Sequence, residues 1–269
     1  MIRMKKFSFF LILFSVSYAQ NDSSYLAEHL LFGNPSNAAA SVSLPKNYLM
    51  SKKQYVLSYH RFNGIPNWVA WHVDSTWLGE IKRSNDFRAD STLPEHWYRV
   101  HEKSYRRSGY DRGHVCPSGD RTNAQKNNSA TFLMTNMIPQ AGNNNRGPWA
   151  ALEMSYRELV KQGKELYIYS GGYGSRGFLD SGRVNIPERT WKVVLVLDAG
   201  DNDLQRVTSS TRTIAVDMPN DNSLINIHDD RKIFSTSIDA VEEKTHYDFF
   251  NMLPDSIEIV IEHRIDILE

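Results

Sequence analysis

One cysteine, Cys116, in a chain of 269 residues limits how this protein can be held together. The reason lies at its start. Residues 1–19 carry a basic opening (Arg3, Lys5, Lys6), an apolar run from Phe7 to Val16, and small residues at Ser17 and Ala19. This pattern predicts a secretory signal cleaved after Ala19. The apolar run is about half of the ~20 residues that a membrane span needs, so no membrane contact is expected after cleavage, and the mature chain is expected to be secreted or periplasmic. In an oxidising compartment a lone thiol cannot close an internal disulfide. Residues 20–269 must therefore fold on an apolar core, expected as a single domain. The composition allows it: 41% hydrophobic, 12% aromatic and 23% charged residues exclude a disordered polyelectrolyte.

Formal charge is balanced, 31 basic against 31 acidic residues, and removal of the signal leaves 28 against 31, or −3. That average hides two unlike regions. Residues 99–121 hold six bases and three acids, whereas residues 239–269 hold nine acids and two bases. Such a dipolar chain is excluded as a uniformly basic, tight polyanion binder, but transient contact with phosphate is not.

The hydrophobic pattern predicts strands at residues 54–60 and 67–73, joined by a turn at 63–66 (NGIP), and further strands at 165–170, 190–197 and 213–216. Residues 148–162 (PWAALEMSYRELVKQ) predict a helix, with Pro148 in its first turn, apolar residues at helical spacing, and Gly163 as its stop. Residues 237–244 and 256–264 read as short helices, the second also compatible with a strand; residues 122–136 read as a loop entering a helix or a strand. Strands that do not alternate regularly with helices predict a mixed α+β sheet.

Three motifs fail on context. Residues 172–177 (GYGSRG) match a dinucleotide fingerprint, but no helical period follows to take a pyrophosphate. Asp198, Asp201 and Asp203 lack the glycine and glutamate that a calcium loop requires. Cys116, two residues after His114, reads as a small buried hydrophobe rather than a nucleophile.

Residues 109–153 hold the ingredients of phosphodiester chemistry. A histidine neutral near pH 7, His114, can take a proton from water. Arg112 offers a planar fork for phosphate oxygens. Asn143, Asn144 and Asn145 offer neutral oxygens, and Glu153 follows on the predicted helix. A hard divalent cation held by few protein oxygens keeps most of its charge for a phosphate. Each residue alone has a bland reading; their ordered combination does not.

The tetrad Asp111-Arg112-Gly113-His114, followed by residues 131–137 (TFLMTNM), Pro139-Gln140, Asn145-Arg146, Trp149, Leu152-Glu153 and Trp191-Lys192, resembles the DNA/RNA non-specific endonucleases of the ββα-metal class, the secreted cyanobacterial branch above all. The resemblance covers nearly all of the mature chain. It implies a central antiparallel β-sheet flanked by helices with a ββα-metal active-site motif. It further implies a metal-dependent endonuclease that hydrolyses DNA and RNA, single- and double-stranded, to 5′-phosphate products. By the same resemblance His114 is the general base, and Asn145 the direct ligand of Mg2+ or Mn2+. Glu153 holds waters around the cation, Arg83 and Arg157 face the phosphate, Arg112 fixes the loop or a phosphate, Asn136 supports the site and Asp111 braces the turn. The alternatives are a catalytically weak exported nucleic-acid-binding module, or a phosphodiesterase for another substrate; the oligomeric state is left open.

Overall fold

The computed structural model describes residues 23–267, so the predicted signal lies outside the described residues. Strands β1 (Tyr48–Lys52), β2 (Tyr55–His60), β3 (Ile65–Val73), β6 (Lys164–Tyr173), β9 (Arg189–Asp198), β10 (Arg212–Pro219) and β11 (Ser235–Thr236) form one sheet in the order β1-β2-β3-β6-β9-β10-β11, antiparallel throughout. Strands β4 (Tyr110–His114) and β5 (Met137–Ala141) form a separate antiparallel pair, and β7 (Phe178–Leu179) pairs with β8 (Val184–Asn185).

The central strands read as nearly continuous apolar runs because both faces of the sheet are covered, and side chains two apart share a face. On one face Val69, Trp71, Leu166, Ile168, Val194, Val196, Ile214 and Val216 form a core with Trp149, Leu152, Tyr156 and Val160 of the helix Pro148–Lys161. On the other, Trp68, Ala70, Tyr167, Tyr169, Val193, Leu195 and Ala215 pack against Ile238, Val241 and Ile261 of the carboxy-terminal helices Ile238–Thr245 and Asp255–His263. This is the expected α+β architecture, with the functional layer on the first face.

Several element boundaries differ from the sequence reading, each for a local reason. The turn predicted at 63–66 ends earlier, because β3 begins at Ile65 and only Gly64, at φ +62°, takes the left-handed conformation. Pro66 lies inside the strand opposite Tyr59, where a shift of register accommodates a residue with no N–H to donate. Residues 122–136 contain a short helix, Gln125–Ala130, and a 3-10 turn at Met134–Asn136. The ambiguous segment near the carboxy terminus is helical, Asp255–His263, and Ser237 caps the preceding helix by accepting from the Ala240 N–H.

Gly113 has a steric role that its sequence context did not reveal. A Cβ there would stand 2.2 Å from Gln140 Oε1 and 2.7 Å from Gln140 Cβ, so the close β4–β5 pairing requires glycine. Gln140 cannot simply swing away, because its Nε2 donates to Asn144 Oδ1 at 3.0 Å. Gly113→Ala is expected to cost about 1–3 kcal/mol through overpacking, measured as a lowered midpoint in urea unfolding.

Candidate active site

Strand β4, the short helix Gly142–Arg146 and the helix Pro148–Lys161 border a cleft of about 340 Å³ lined by Arg83, Arg112, His114, Ser118, Asn145, Ala150, Glu153 and Arg157, among others. Helical spacing explains part of that set: Ala150, Glu153 and Arg157 are three and four residues apart and so share one face, while Trp149, Leu152, Tyr156 and Val160 turn toward the core. Of the eight residues given a role from the sequence, six line this cleft. Asn136 is fully buried behind it, and Asp111 stands beside Asn145.

His114 ends β4 and is only 8% exposed, its ring set edge-on to Phe132 at 4.7 Å between centroids and tilted against Phe87 at 5.5 Å. Its Nε2 is buried without a hydrogen-bond partner among the described residues. Burial, and then the charges of Arg83 and Arg112, hold the imidazole well below its ordinary pKa. The ring is consequently neutral at pH 7, the form in which it accepts a proton.

Asn136 acts on the backbone that follows this histidine. Its Oδ1 accepts from the Cys116 N–H at 2.9 Å, and its Nδ2 donates to the carbonyls of Cys116 and Thr131, each at 2.8 Å. The asparagine positions His114 through the chain and does not line the cleft. Cys116 is itself fully buried, its thiol pushed up to about 12 by burial, which leaves it an inert packing group.

Asn145 sits on the short helix Gly142–Arg146, and its Nδ2 donates to Asp111 Oδ2 at 2.9 Å. A carboxylate only accepts, so this bond fixes the amide orientation and leaves Asn145 Oδ1 as its acceptor oxygen. Asp111 is fixed in turn by Arg146, whose Nε donates to Oδ2 at 2.8 Å and whose Nη2 donates to Oδ1. The bracing role expected of Asp111 thus has a specific object, the amide of Asn145.

The three arginines approach from separate elements. Arg83 donates through Nη1 to Ser118 Oγ at 2.7 Å and through Nε to Asn85 Oδ1 at 3.0 Å, and lies over the Phe132 ring. Its segment is tied down by Ser84 N–H to Asn128 Oδ1 at 2.9 Å and by Met134 N–H to the Arg88 carbonyl, also at 2.9 Å. Arg112 stacks over Phe87 at 4.1 Å. Arg157 donates to Asp120 Oδ1 at 3.0 Å, and Asp120 Oδ2 accepts from Trp71 Nε1 at 3.0 Å.

Beneath Glu153 lies a residue that the sequence reading did not nominate. Lys192 of β9 is fully buried; its Nζ donates to Glu153 Oε1 at 3.1 Å and lies 3.9 Å from the ring centre of Trp149. Glu153 itself is 15% exposed and opens on the cleft. Burial raises the carboxyl and lowers the ammonium, and each partner's charge opposes the shift in the other. The available signal was a single lysine in the apolar strand TWKVVLVL, at a position of the same parity as Val194 and Val196 and therefore facing inward.

A neutral amide oxygen, a carboxylate on the adjoining helix, a neutral imidazole and three guanidiniums make a set suited to phosphate cleavage with a hard cation. The profile of the DNA/RNA non-specific endonuclease family matches residues 34–256. The chain belongs to this family. The nuclease of Nostoc sp. is 49% identical over 244 residues, which is 91% of this chain and 88% of that protein. The mitochondrial nuclease EXOG of Danio rerio is 35% identical over 155 residues, 52% of this chain and 45% of its own. A chain in the crystal structure of the EndoG/EndoGI complex superposes with a TM-score of 0.72 at 27% identity, covering 86% of this chain and 93% of that one. The protein is accordingly an endonuclease, a hydrolase of nucleic acid in a family of metal-dependent nucleases.

Proposed function

We propose that this endonuclease hydrolyses phosphodiester bonds of both DNA and RNA, single- and double-stranded, with little sequence preference, and leaves 5′-phosphate ends. The observation that carries the reading is the joint presence of His114, Asn145, Glu153 and three arginines on one cleft. Among the lining residues none is an aromatic platform for bases, and guanidinium groups address the phosphate common to both nucleic acids.

His114 takes the proton of the attacking water as the oxygen meets phosphorus opposite the departing 3′ oxygen. Arg83, Arg112 and Arg157 hold the phosphate and share the charge that builds on its oxygens. Asn145 Oδ1 would hold Mg2+ or Mn2+ directly, and Glu153 would anchor its surrounding waters. Bound there, the cation supplies Lewis-acid stabilisation of phosphate charge. A neutral amide suits that task, since a carboxylate would cancel part of the charge the transition state needs.

The basic and apolar pattern of residues 1–19 supports export, with the mature chain, residues 20–269, acting as one domain in the periplasm or outside the cell. Plasmid DNA and ribosomal RNA incubated with purified protein test the catalytic reading. Both are expected to be degraded with Mg2+ and to survive in chelator, and Asn145→Ala is expected to lose at least about 10²-fold of the rate, as removal of one charge-stabilising contact does. Degradation of only one polymer would remove the claim of sugar non-specificity, and undiminished cleavage in chelator would remove the metal.

A further inference from the structure

The carboxy-terminal helices hold a second concentration of ionisable groups. Helices Ile238–Thr245 and Asp255–His263 lie on the face of the sheet opposite the cleft, since Ile238, Val241 and Ile261 join the core of that face. They bring Asp239, Glu242 and Glu262 together, with one carboxylate oxygen of each within 4.8 Å of the others. Glu262 is 5% exposed, and its Oε1 is buried without a hydrogen-bond partner. A buried carboxylate oxygen left unpaired is costly and calls for a counter-charge or a proton.

Neighbouring side chains supply little. Glu242 Oε1 accepts from the Phe249 N–H at 2.7 Å, and Asp239 Oδ2 lies 3.0 Å from His263 Nδ1 at the exposed rim. No lysine or arginine forms an ion pair with Asp239, Glu242 or Glu262 among the described residues. The two bases of this region face elsewhere: Lys244 bonds Glu243, and Arg264 donates to the carbonyls of Ser209 and Thr211. Glu258, one helical turn before Glu262, adds another buried oxygen without a partner. Burial, then the adjacent acids, pushes Glu262 up to about 9 and Glu242 up to about 7.

The donors are oxygens alone, which suits a hard cation over a thiolate- or imidazole-seeking one. Three carboxylates can present up to six oxygens, in keeping with the six to eight that calcium takes and with its tolerance of irregular geometry. We propose that Asp239, Glu242 and Glu262 form a second metal site, of the calcium type, which clamps the two carboxy-terminal helices and is separate from the catalytic cleft. The cation replaces the missing counter-charge, so its effect falls on stability and not on turnover.

Equilibrium dialysis against CaCl2 and thermal melts of the full chain, of Glu262→Gln and of Asp239→Asn test this. The wild type should bind one calcium per chain more than either variant. Its Tm should rise by about 5–10 °C at calcium 100-fold above the dissociation constant, and the variants should lose most of that rise. Asp239 is exposed, so Asp239→Asn keeps the fold and should degrade plasmid in Mg2+ at the wild-type rate. Equal stoichiometry and equal shifts in all three proteins would overturn the site. So would a wild type indifferent to calcium beside a Glu262→Gln chain stabilised without it, which would mean that the carboxyls share protons.

Discussion

Replacement of His114 by alanine is expected to lower kcat by about 10²–10⁴-fold, the usual contribution of a positioned general base, with a much smaller change in KM. On the proposed reading Arg83, Arg112 and Arg157 hold the phosphate, and these residues line the same cleft and survive the substitution. What disappears is the acceptor for the water's proton. The pH dependence separates this role from a packing role. Burial and the two nearby guanidiniums depress the imidazole pKa, so the inactive protonated form accumulates only well below the ordinary histidine range. Activity of the wild type should therefore stay level from pH 8 down through 6.5 and fall only in more acid solution. An acidic limb centred at or above 6.5 would contradict the environment assigned to His114, and a variant that kept full activity would remove it as the base. Far-ultraviolet dichroism of His114→Ala guards against simple unfolding, because the ring fills space between Phe87 and Phe132.

The sequence made the central sheet and the main helix legible for a common physical reason: their burial is periodic. Strands β3, β6, β9 and β10 present apolar residues to two cores, and the helix Pro148–Lys161 carries its stripe between a proline start and a glycine stop. Strands β4 and β5 were not legible in that way. The first reads YDRGH, a polar string whose extended form comes from pairing with β5 and from the Gly113–Gln140 approach, neither of which has a local signature. The site was legible in part through its chemistry in order along the chain, which nominated Arg112, His114, Asn145 and Glu153, while the family resemblance added Arg83 and Arg157; all six share the cleft. Lys192 escaped because it reaches Glu153 across 39 positions; Asn136 was nominated as a supporting residue, but its way of acting, from behind His114 through the backbone of Cys116, rests on a contact distant in sequence.

Lys192→Met should be the most destabilising single change in the site, because it strips the counter-charge from a largely buried carboxylate. Breaking a buried pair by removing one partner costs about 3–5 kcal/mol; the 15% exposure of Glu153 and its freedom to take up a proton place this case toward the lower end. The methionine retains the apolar contacts with Trp71 and Trp149, so lost packing adds little. Adding Glu153→Gln removes the orphaned charge, and the double variant should recover most of the unfolding free energy, since replacing both members of a buried pair is often close to neutral. Turnover should behave differently. The single variant, assayed below its melting point, should lose kcat because Glu153 is no longer held ionised toward the cleft, and the double variant should lose as much or more despite its restored stability. Urea unfolding of the four proteins gives the coupling free energy, and kcat measured on the same four separates positioning from packing. A Lys192→Met variant that keeps its kcat would show that Lys192 is structural only; a loss of kcat that adds nothing to the loss caused by Glu153→Gln alone would make it the residue that sets Glu153 for the reaction.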